Sequence, residues 1–176
     1  MKNQFRSIRQ TYFLFFLFFL IAGCGFQLNR NRIQLPNGAQ SVYLYNFSNN
    51  SYTPRLEFDL KNKLIGKFAL NSITIQPDNN ADLVLSFVID ALSMTKSTYS
   101  LDDSDQTYDF AFKSVGKLTV YDNRTQTYYL KDTQLTGSYS IKTTDSDLST
   151  IDEEEGRSKA LDSLASAISE KLTDSF

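Results

Sequence analysis

Three long segments in which apolar and polar residues alternate occupy residues 81–94, 109–122 and 128–141. A period of two is the side-chain period of a β-strand, so each segment is predicted to be a strand. The polar residues 122–125 (DNRT) separate the last two segments and predict the turn of a β-hairpin. Strands of this length have to bury a face, so the chain must build a sheet with a covering layer.

Two further segments show the 3.6-residue apolar period of an amphipathic helix. The first begins with Thr53 as the predicted N-cap and Pro54 at the first helical position. The second begins with Asp152 and Glu155 at the spacing of a capping box. The apolar stripes consist of Leu56, Leu60, Leu64 and Phe68 in the first helix and of Ala160, Leu161, Leu164, Ala165, Ile168 and Leu172 in the second. Each helix therefore has one side to bury.

Shorter runs of aromatic and β-branched residues at 41–47 and 72–77 predict two more strands. The resulting order is strand-helix-strand-strand-strand-strand-helix. We predict an α+β fold, in which a mixed four- to five-stranded sheet has two α-helices packed on one face. Residues 41–47 carry large apolar side chains on both faces, so we expect both faces of this strand to be covered. The polar stretch 95–107 is expected to form a loop or the frayed tip of a hairpin, and the polar stretch 143–149 is expected to form a loop.

The amino-acid composition argues against most kinds of catalytic and metal site. The chain has no His and a single Cys, so it lacks the commonest general base, a Ser-His-Asp triad and the usual transition-metal ligands. The acidic run at residues 102–105 lacks the spacing and the glycine of an EF-hand. A formal net charge of -2 provides no basic footprint for nucleic acid. We therefore expect no enzymatic activity, no cofactor, no metal and no nucleic-acid partner.

The single cysteine, Cys24, follows an apolar N-terminal segment. Basic residues precede the mostly apolar stretch 12–21, which is shorter than the roughly 20 residues of a transmembrane helix and is typical of a signal peptide. Residues 21–24 (IAGC) resemble a bacterial lipobox, in which the cysteine thiol receives a diacylglyceryl group and becomes the new N-terminus. A plain secretory signal with an incidental cysteine is the alternative interpretation.

These features divide the chain into three parts. We predict a lipoprotein signal peptide at residues 1–23, a lipidated tether at residues 24–38 and a single α/β sandwich domain at residues 39–176. In such a lipoprotein the fatty acids would anchor the chain, because each buried CH₂ contributes about 0.8 kcal/mol and two or more acyl chains hold stably.

Several short motifs follow one another along the chain in a recognisable order. They are Cys24-Gly25-Phe26, Leu35-Pro36, the passage YNFSNNSYTPRLEFDLKNKL at residues 45–64, Ala81-Asp82-Leu83, Tyr121-Asp122 before the last strand, and Arg157 near the start of the last helix. In order and spacing these motifs resemble those of the lipopolysaccharide-assembly lipoproteins of the LptE family. The resemblance covers nearly all of the chain after Cys24.

The resemblance implies a location and a partner. An LptE-like protein would be an α/β sandwich inside the lumen of the large outer-membrane β-barrel LptD, and the pair would deliver lipopolysaccharide to the outer leaflet. The lipid on Cys24 would hold the protein on the periplasmic side of the bacterial outer membrane, and Gly25, which is not Asp, fits sorting to that membrane.

A lipopolysaccharide role also implies basic side chains that meet the phosphates of lipid A. The candidates are Lys96, Lys113, Lys117 and Arg124. The family has basic positions in the loop after the hairpin, whereas residues 143–155 (TTDSDLSTIDEEE) contain no Lys or Arg and are acidic in this chain. This departure leaves direct binding of lipopolysaccharide open.

Two other classes of function stay open. The chain could be a periplasm-facing envelope lipoprotein that binds a different ligand or polymer, and such a protein should have a deep concave apolar pocket. It could also be a hydrolase with an unrecognised carboxylate pair, which would need two acidic side chains that converge in a cleft.

Overall fold

The computed structural model describes residues 35–100 and 106–173. Cys24, the signal peptide and most of the tether predicted from the sequence lie outside the described residues. After a short 3-10 turn, Pro36–Gly38, the elements are β1 (Ser41–Asn49), α1 (Leu56–Leu70), β2 (Thr74–Ile75), β3 (Leu83–Ser100), β4 (Gln106–Asp122), β5 (Thr127–Thr143) and α2 (Thr150–Thr173). The predicted order of strands and helices is confirmed.

The strands form one mixed sheet in the order β2-β1-β3-β4-β5. β1 runs parallel to both of its neighbours, while β3, β4 and β5 form an antiparallel meander. The β3–β4 ladder continues out to the pair Ser100 and Gln106. Of the two alternatives for the stretch 95–107, the hairpin is therefore the one found, and much of the stretch is strand, since its Thr and Tyr residues suit an extended hairpin even beyond the core.

Both helices pack on the same face of the sheet and contact each other. Their predicted apolar stripes are buried there, and β3 contributes alternate residues to the same core: Leu83, Leu85, Phe87 and Ile89. The prediction of two helices on one face is confirmed. The other face of the sheet, which we call the helix-free face, has no helix on it among the described residues.

β-Bulges in β1 and β3 change which residues of these two strands face the helices. In β1 the register shifts at Tyr45, so Phe47 lies on the helix side with its ring stacked 6.5 Å from that of Phe87. In β3 the register shifts at Asp90. The chain covers the helix side of β1, but Tyr45 is 64% exposed, so the expectation that both faces of this strand are covered fails within the described residues.

Both helices begin at other residues than predicted. Arg55, with a left-handed φ of 69°, is the N-cap of α1, and its side chain makes no capping bond; Thr53 is not the cap. In α2 the Ser149 hydroxyl accepts a hydrogen bond from the backbone N–H of Asp152 at 3.2 Å, so the helix begins earlier than the predicted capping box. The apolar period located the helices, but the loop geometry set their first residues.

Candidate ligand and partner surfaces

The structure distributes the four basic candidates over three places. Lys96 pairs across the ladder with the buried Phe110, so it lies on the helix side of the sheet. Lys113 and Lys117 alternate with the buried residues of β4 and lie on the helix-free face. Arg124 lies in the turn between β4 and β5. The four side chains therefore do not form a single binding site.

Lys96 is held by aromatic rings and by the loop between β5 and α2. Its ammonium lies 4.6 Å from the ring centroid of Tyr108 and 5.4 Å from that of Phe110. It donates a hydrogen bond to the carbonyl oxygen of Ser146, and the Asp147 carboxylate lies 3.9 Å away. The charge of Lys96 is thus partly met by the acidic loop that was predicted from the sequence.

Lys113 and Lys117 lie on the same face of β4, four residues apart, which corresponds to roughly 13 Å along a strand. The Lys117 ammonium lies 3.8 Å from the carboxylate of Asp90, the residue at the β3 bulge. Both lysines are exposed, and no carboxylate within the described residues forms an ion pair with Lys113. Of the two ammonium groups, that of Lys113 is therefore the more available to an external anion.

Arg124 joins the chain before β1 to the end of the sheet. Its guanidinium donates to the Asp122 carboxylate at 3.1 Å, to the Asn37 carbonyl at 3.2 Å and to the Pro36 carbonyl at 3.4 Å. It also lies 3.9 Å from the carboxylate of Asp82. We call Asn37, Asp82, Asp122 and Arg124 the Arg124 cluster. Because its donors are used within the fold, Arg124 is poorly placed to bind a ligand.

The two carboxylates of the Arg124 cluster are both held ionised. Backbone hydrogen bonds from Gln40 and Ser41, at 2.8 and 3.1 Å, outweigh burial and lower the pKa of Asp82. Burial raises the pKa of Asp122, but the hydrogen bonds from the Arg124 and Asn37 side chains outweigh it, so the net direction is downward. The cluster is therefore a charged structural contact at neutral pH.

Four tyrosines lie beside the Arg124 cluster on the helix-free face, and we call them the tyrosine row: Tyr43, Tyr45, Tyr121 and Tyr128. The rings of Tyr121 and Tyr128 meet edge to face at 5.2 Å, and those of Tyr43 and Tyr45 are 5.9 Å apart. Tyr45 and Tyr128 are 64% and 58% exposed. The only indication of this surface in the sequence is that residues 41–47 carry large apolar side chains on both faces.

One cleft of about 620 Å³ lies between α1 and α2. Four of its lining side chains are charged: Asp59, Lys63, Glu154 and Arg157. Mixed charge on an open cleft differs from the deep apolar pocket expected of a small-ligand lipoprotein. Within the described ranges, no three His, Cys, Asp or Glu side chains are grouped as metal ligands would be. Neither described helix has the length and apolar character needed to span a membrane.

Comparison with known proteins agrees with this architecture. The family model described as "LptE: Lipopolysaccharide-assembly" matches residues 39–175. No curated protein matches the chain. Among solved structures, a neuraminyllactose-binding hemagglutinin homolog from Helicobacter pylori is 11% identical with a TM-score of 0.51, over 79% of this chain and 88% of that one, which shows a shared fold.

Two lipoprotein structures are similar at lower TM-scores. The minor lipoprotein from Acinetobacter baumannii is 17% identical (TM-score 0.43, 77% of this chain and 92% of that one). The uncharacterized lipoprotein B from Nitrosomonas europaea is 14% identical (TM-score 0.46, 85% and 90%). The family match itself extends over more than half of the sequence and includes all of the helices and strands described above. The chain therefore belongs to the LptE family of lipopolysaccharide-assembly proteins.

Proposed function

We propose that this protein is an outer-membrane lipoprotein, lipidated at Cys24, that plugs and stabilises an LptD-like β-barrel and assists the assembly of lipopolysaccharide at the cell surface. The observation that supports this most is the LptE family match over residues 39–175. The role is one of assembly, and we propose no catalytic step for the chain.

The helix-free face is the surface that best suits contact with a barrel wall. It presents the tyrosine row, with Tyr45 and Tyr128 more than half exposed, beside the half-buried Val84 and Val88. Tyrosine combines a large apolar area with a hydroxyl, which is why it is enriched at protein interfaces. A face of this kind can pack against a polar lumen without leaving buried groups unpaired.

The Arg124 cluster would attach the tether to the sheet through the hydrogen bonds from Arg124 to the Pro36 and Asn37 carbonyls. Residues 25–34 separate Cys24 from the buried Leu35, so the lipid can lie no more than about 40 Å from this end of the sheet. Lipidation at Cys24 would then keep the end with the tyrosine row near the periplasmic leaflet.

Three lysines are the candidates for contact with lipopolysaccharide. Arg124 has its donors occupied within the fold, which leaves Lys96, Lys113 and Lys117 as candidates for the phosphates of lipid A. These three lie on two faces of the sheet, so they would contact the lipid at separate points.

Purification of the native, lipidated protein from membranes tests the proposal. We expect one large outer-membrane barrel to co-purify with the wild type in detergent. The double variant Tyr45→Ser/Tyr128→Ser should lose most of the barrel, whereas Tyr52→Ser, which changes a fully exposed tyrosine before α1, should keep it. Recovery of the wild type only as a free chain would contradict the proposal.

The alternative, a periplasm-facing lipoprotein that binds a different ligand or polymer, would have to use the open, charged cleft between α1 and α2. Under that alternative the Lys63→Met variant, which removes a cleft charge, would lose the ligand while barrel recovery would be nil in every variant. The barrel purification therefore separates the two functions.

A further inference from the structure

The acidic loop between β5 and α2, residues 144–149, is held against Lys96. The Lys96 ammonium donates to the Ser146 carbonyl and lies 3.9 Å from the Asp147 carboxylate. Leu148 of the same loop packs against the cluster that contains Phe110, the ladder partner of Lys96. The loop is thus fixed at one side by an apolar contact and at the other by the lysine.

The groups that Lys96 meets in this loop resemble those of a phosphate. An ammonium has three N–H donors and no acceptor, so it binds anionic or carbonyl oxygens. The loop supplies one carbonyl and one carboxylate oxygen, and Asp145 adds a further negative charge nearby in the chain. A phosphate on Lys96 would therefore compete with these oxygens for the same N–H donors.

The aromatic rings hold the ammonium where this exchange can occur. Lys96 lies over Tyr108 and Phe110, and its side chain is 38% exposed. The Asp147 side chain is 93% exposed, so its ion pair with Lys96 is in contact with solvent and weak. The lysine is positioned by the sheet, while its anionic partner belongs to a solvent-exposed loop.

We propose that the β5–α2 loop competes with phosphate for Lys96, so that a phosphorylated glycolipid binds there only when the loop is released. This inference rests on the proposed function, because it regulates one of the candidate lipid contacts. It also gives the acidic sequence of residues 143–155 a role at the point where it departs from the pattern of the family.

Binding of lipid A to the full lipidated chain in detergent measures the competition. Asp147→Asn should tighten binding by up to about fivefold, the size expected from removing an exposed ion pair. Glu170→Gln makes the same charge change on an exposed part of α2, away from Lys96, and should bind as the wild type does. Lys96→Met should weaken binding in the presence of either loop sequence.

The hydrogen-exchange rate of the loop amides is a second measurement. If the contact between Lys96 and the loop were only structural, lipid A would not change this rate. Lipid A with both phosphates should speed exchange at residues 144–149 in the wild type, and Lys96→Met should show fast exchange without any lipid. Release by inorganic phosphate as well supports the inference by showing that the phosphate is sufficient. Release by lipid A alone also supports it and assigns part of the binding to the glycan or acyl chains.

Three results would overturn the inference. They are equal binding by Asp147→Asn and Glu170→Gln, equal release by lipid A and by the same lipid without phosphates, and no binding of lipid A by any variant. Each can occur while the barrel still co-purifies with the wild type, so failure here is distinct from failure of the proposed function.

Discussion

Arg124 and Lys113 show how the surroundings of a basic side chain decide its use. Arg124 donates to a carboxylate that is 1% exposed and to two backbone carbonyls, so its charge stabilises the fold. Lys113 is exposed on the helix-free face of β4 and is available to a ligand. In the sequence both were equivalent candidates, because the number of internal partners is fixed only by the tertiary fold.

Replacement of Arg124 should destabilise the protein. We expect Arg124→Met to lower the free energy of unfolding by about 2 kcal/mol, because it leaves the Asp122 carboxylate buried without its strongest donor. Lys159→Met, at an exposed position of α2, should change it by less than about 0.5 kcal/mol. Urea unfolding at neutral pH measures both values, and equal stability of the two variants would contradict the structural role of Arg124.

The Arg124 cluster should also make stability depend on pH below about pH 5. The pKa values of Asp82 and Asp122 are lower in the folded protein than their ordinary value of 3.8. The unfolded chain therefore binds more protons, and stability falls as the pH drops through the folded-state pKa values. The contribution is complete above about pH 5 and lost progressively below about pH 4.

Unfolding in urea at pH 7, 4 and 3 tests this dependence. The Asp122→Asn variant, which cannot ionise at that position, should lose less stability between pH 7 and pH 3 than the wild type. An identical loss in both proteins would show that Asp122 does not contribute to the acid sensitivity.

At the level of elements, the bulges explain what the sequence could and could not predict. Alternation in β3 located the strand and its buried residues correctly up to Ile89. Simple continuation would place Lys96 on the face opposite to Ile89, but the extra residue at Asp90 moves it to the helix side. A bulge depends on pairing with a neighbouring strand, so the alternation of apolar and polar residues in the sequence does not reveal its position.

Helix α2 and strand β5 approach each other at Gly137. A Cβ atom there would lie 2.2 Å from the backbone nitrogen of Leu164 and 2.4 Å from the carbonyl oxygen of Ala160. Gly137→Ala should therefore push α2 away from the sheet and lower the free energy of unfolding by about 1–3 kcal/mol. Thermal or urea unfolding measures the loss, and an unchanged stability would show that the helix can shift without cost.

Gly66, in the middle of α1, is the matched opposite case. A Cβ atom there would have no neighbour within 4 Å, so the change to alanine adds helix propensity without a clash. Gly66→Ala should raise the free energy of unfolding by about 0.8–1 kcal/mol. A decrease measured in the same unfolding experiment would contradict this description of α1.

At the scale of the whole molecule, the tyrosine row and the Arg124 cluster lie at one end of the sheet, since Tyr121 precedes Asp122 in β4. The chain reaches that end through Leu35, which belongs to the predicted tether at residues 24–38. The amphipathic periods in the sequence predicted the layers of the fold correctly. They could not predict that Leu35 and the exposed aromatic surface share one end, because this follows from strand order and register.

Removal of the predicted lipid should release the protein from the membrane. We expect Cys24→Ala to abolish incorporation of labelled fatty acid and to move the chain from the membrane fraction to the soluble fraction, since the anchor contributes about 0.8 kcal/mol per buried CH₂. Tyr52→Ser, a change at an exposed loop residue, should leave both properties unchanged. A wild-type chain without fatty acid would instead indicate a plain secretory signal.

The attachment of the Pro36–Gly38 turn to the sheet has a mechanical consequence. Any pull from the N-terminus meets the hydrogen bonds from Arg124 to Pro36 and Asn37 before it reaches β1. Beyond them, β1 has a parallel neighbour on each edge, so the ladder bonds, mostly those to β3, would share in shear any load that acts along the strand. Thermal motion of a membrane-anchored chain would therefore strain the Arg124 hydrogen bonds before it strained the ladder hydrogen bonds of the sheet.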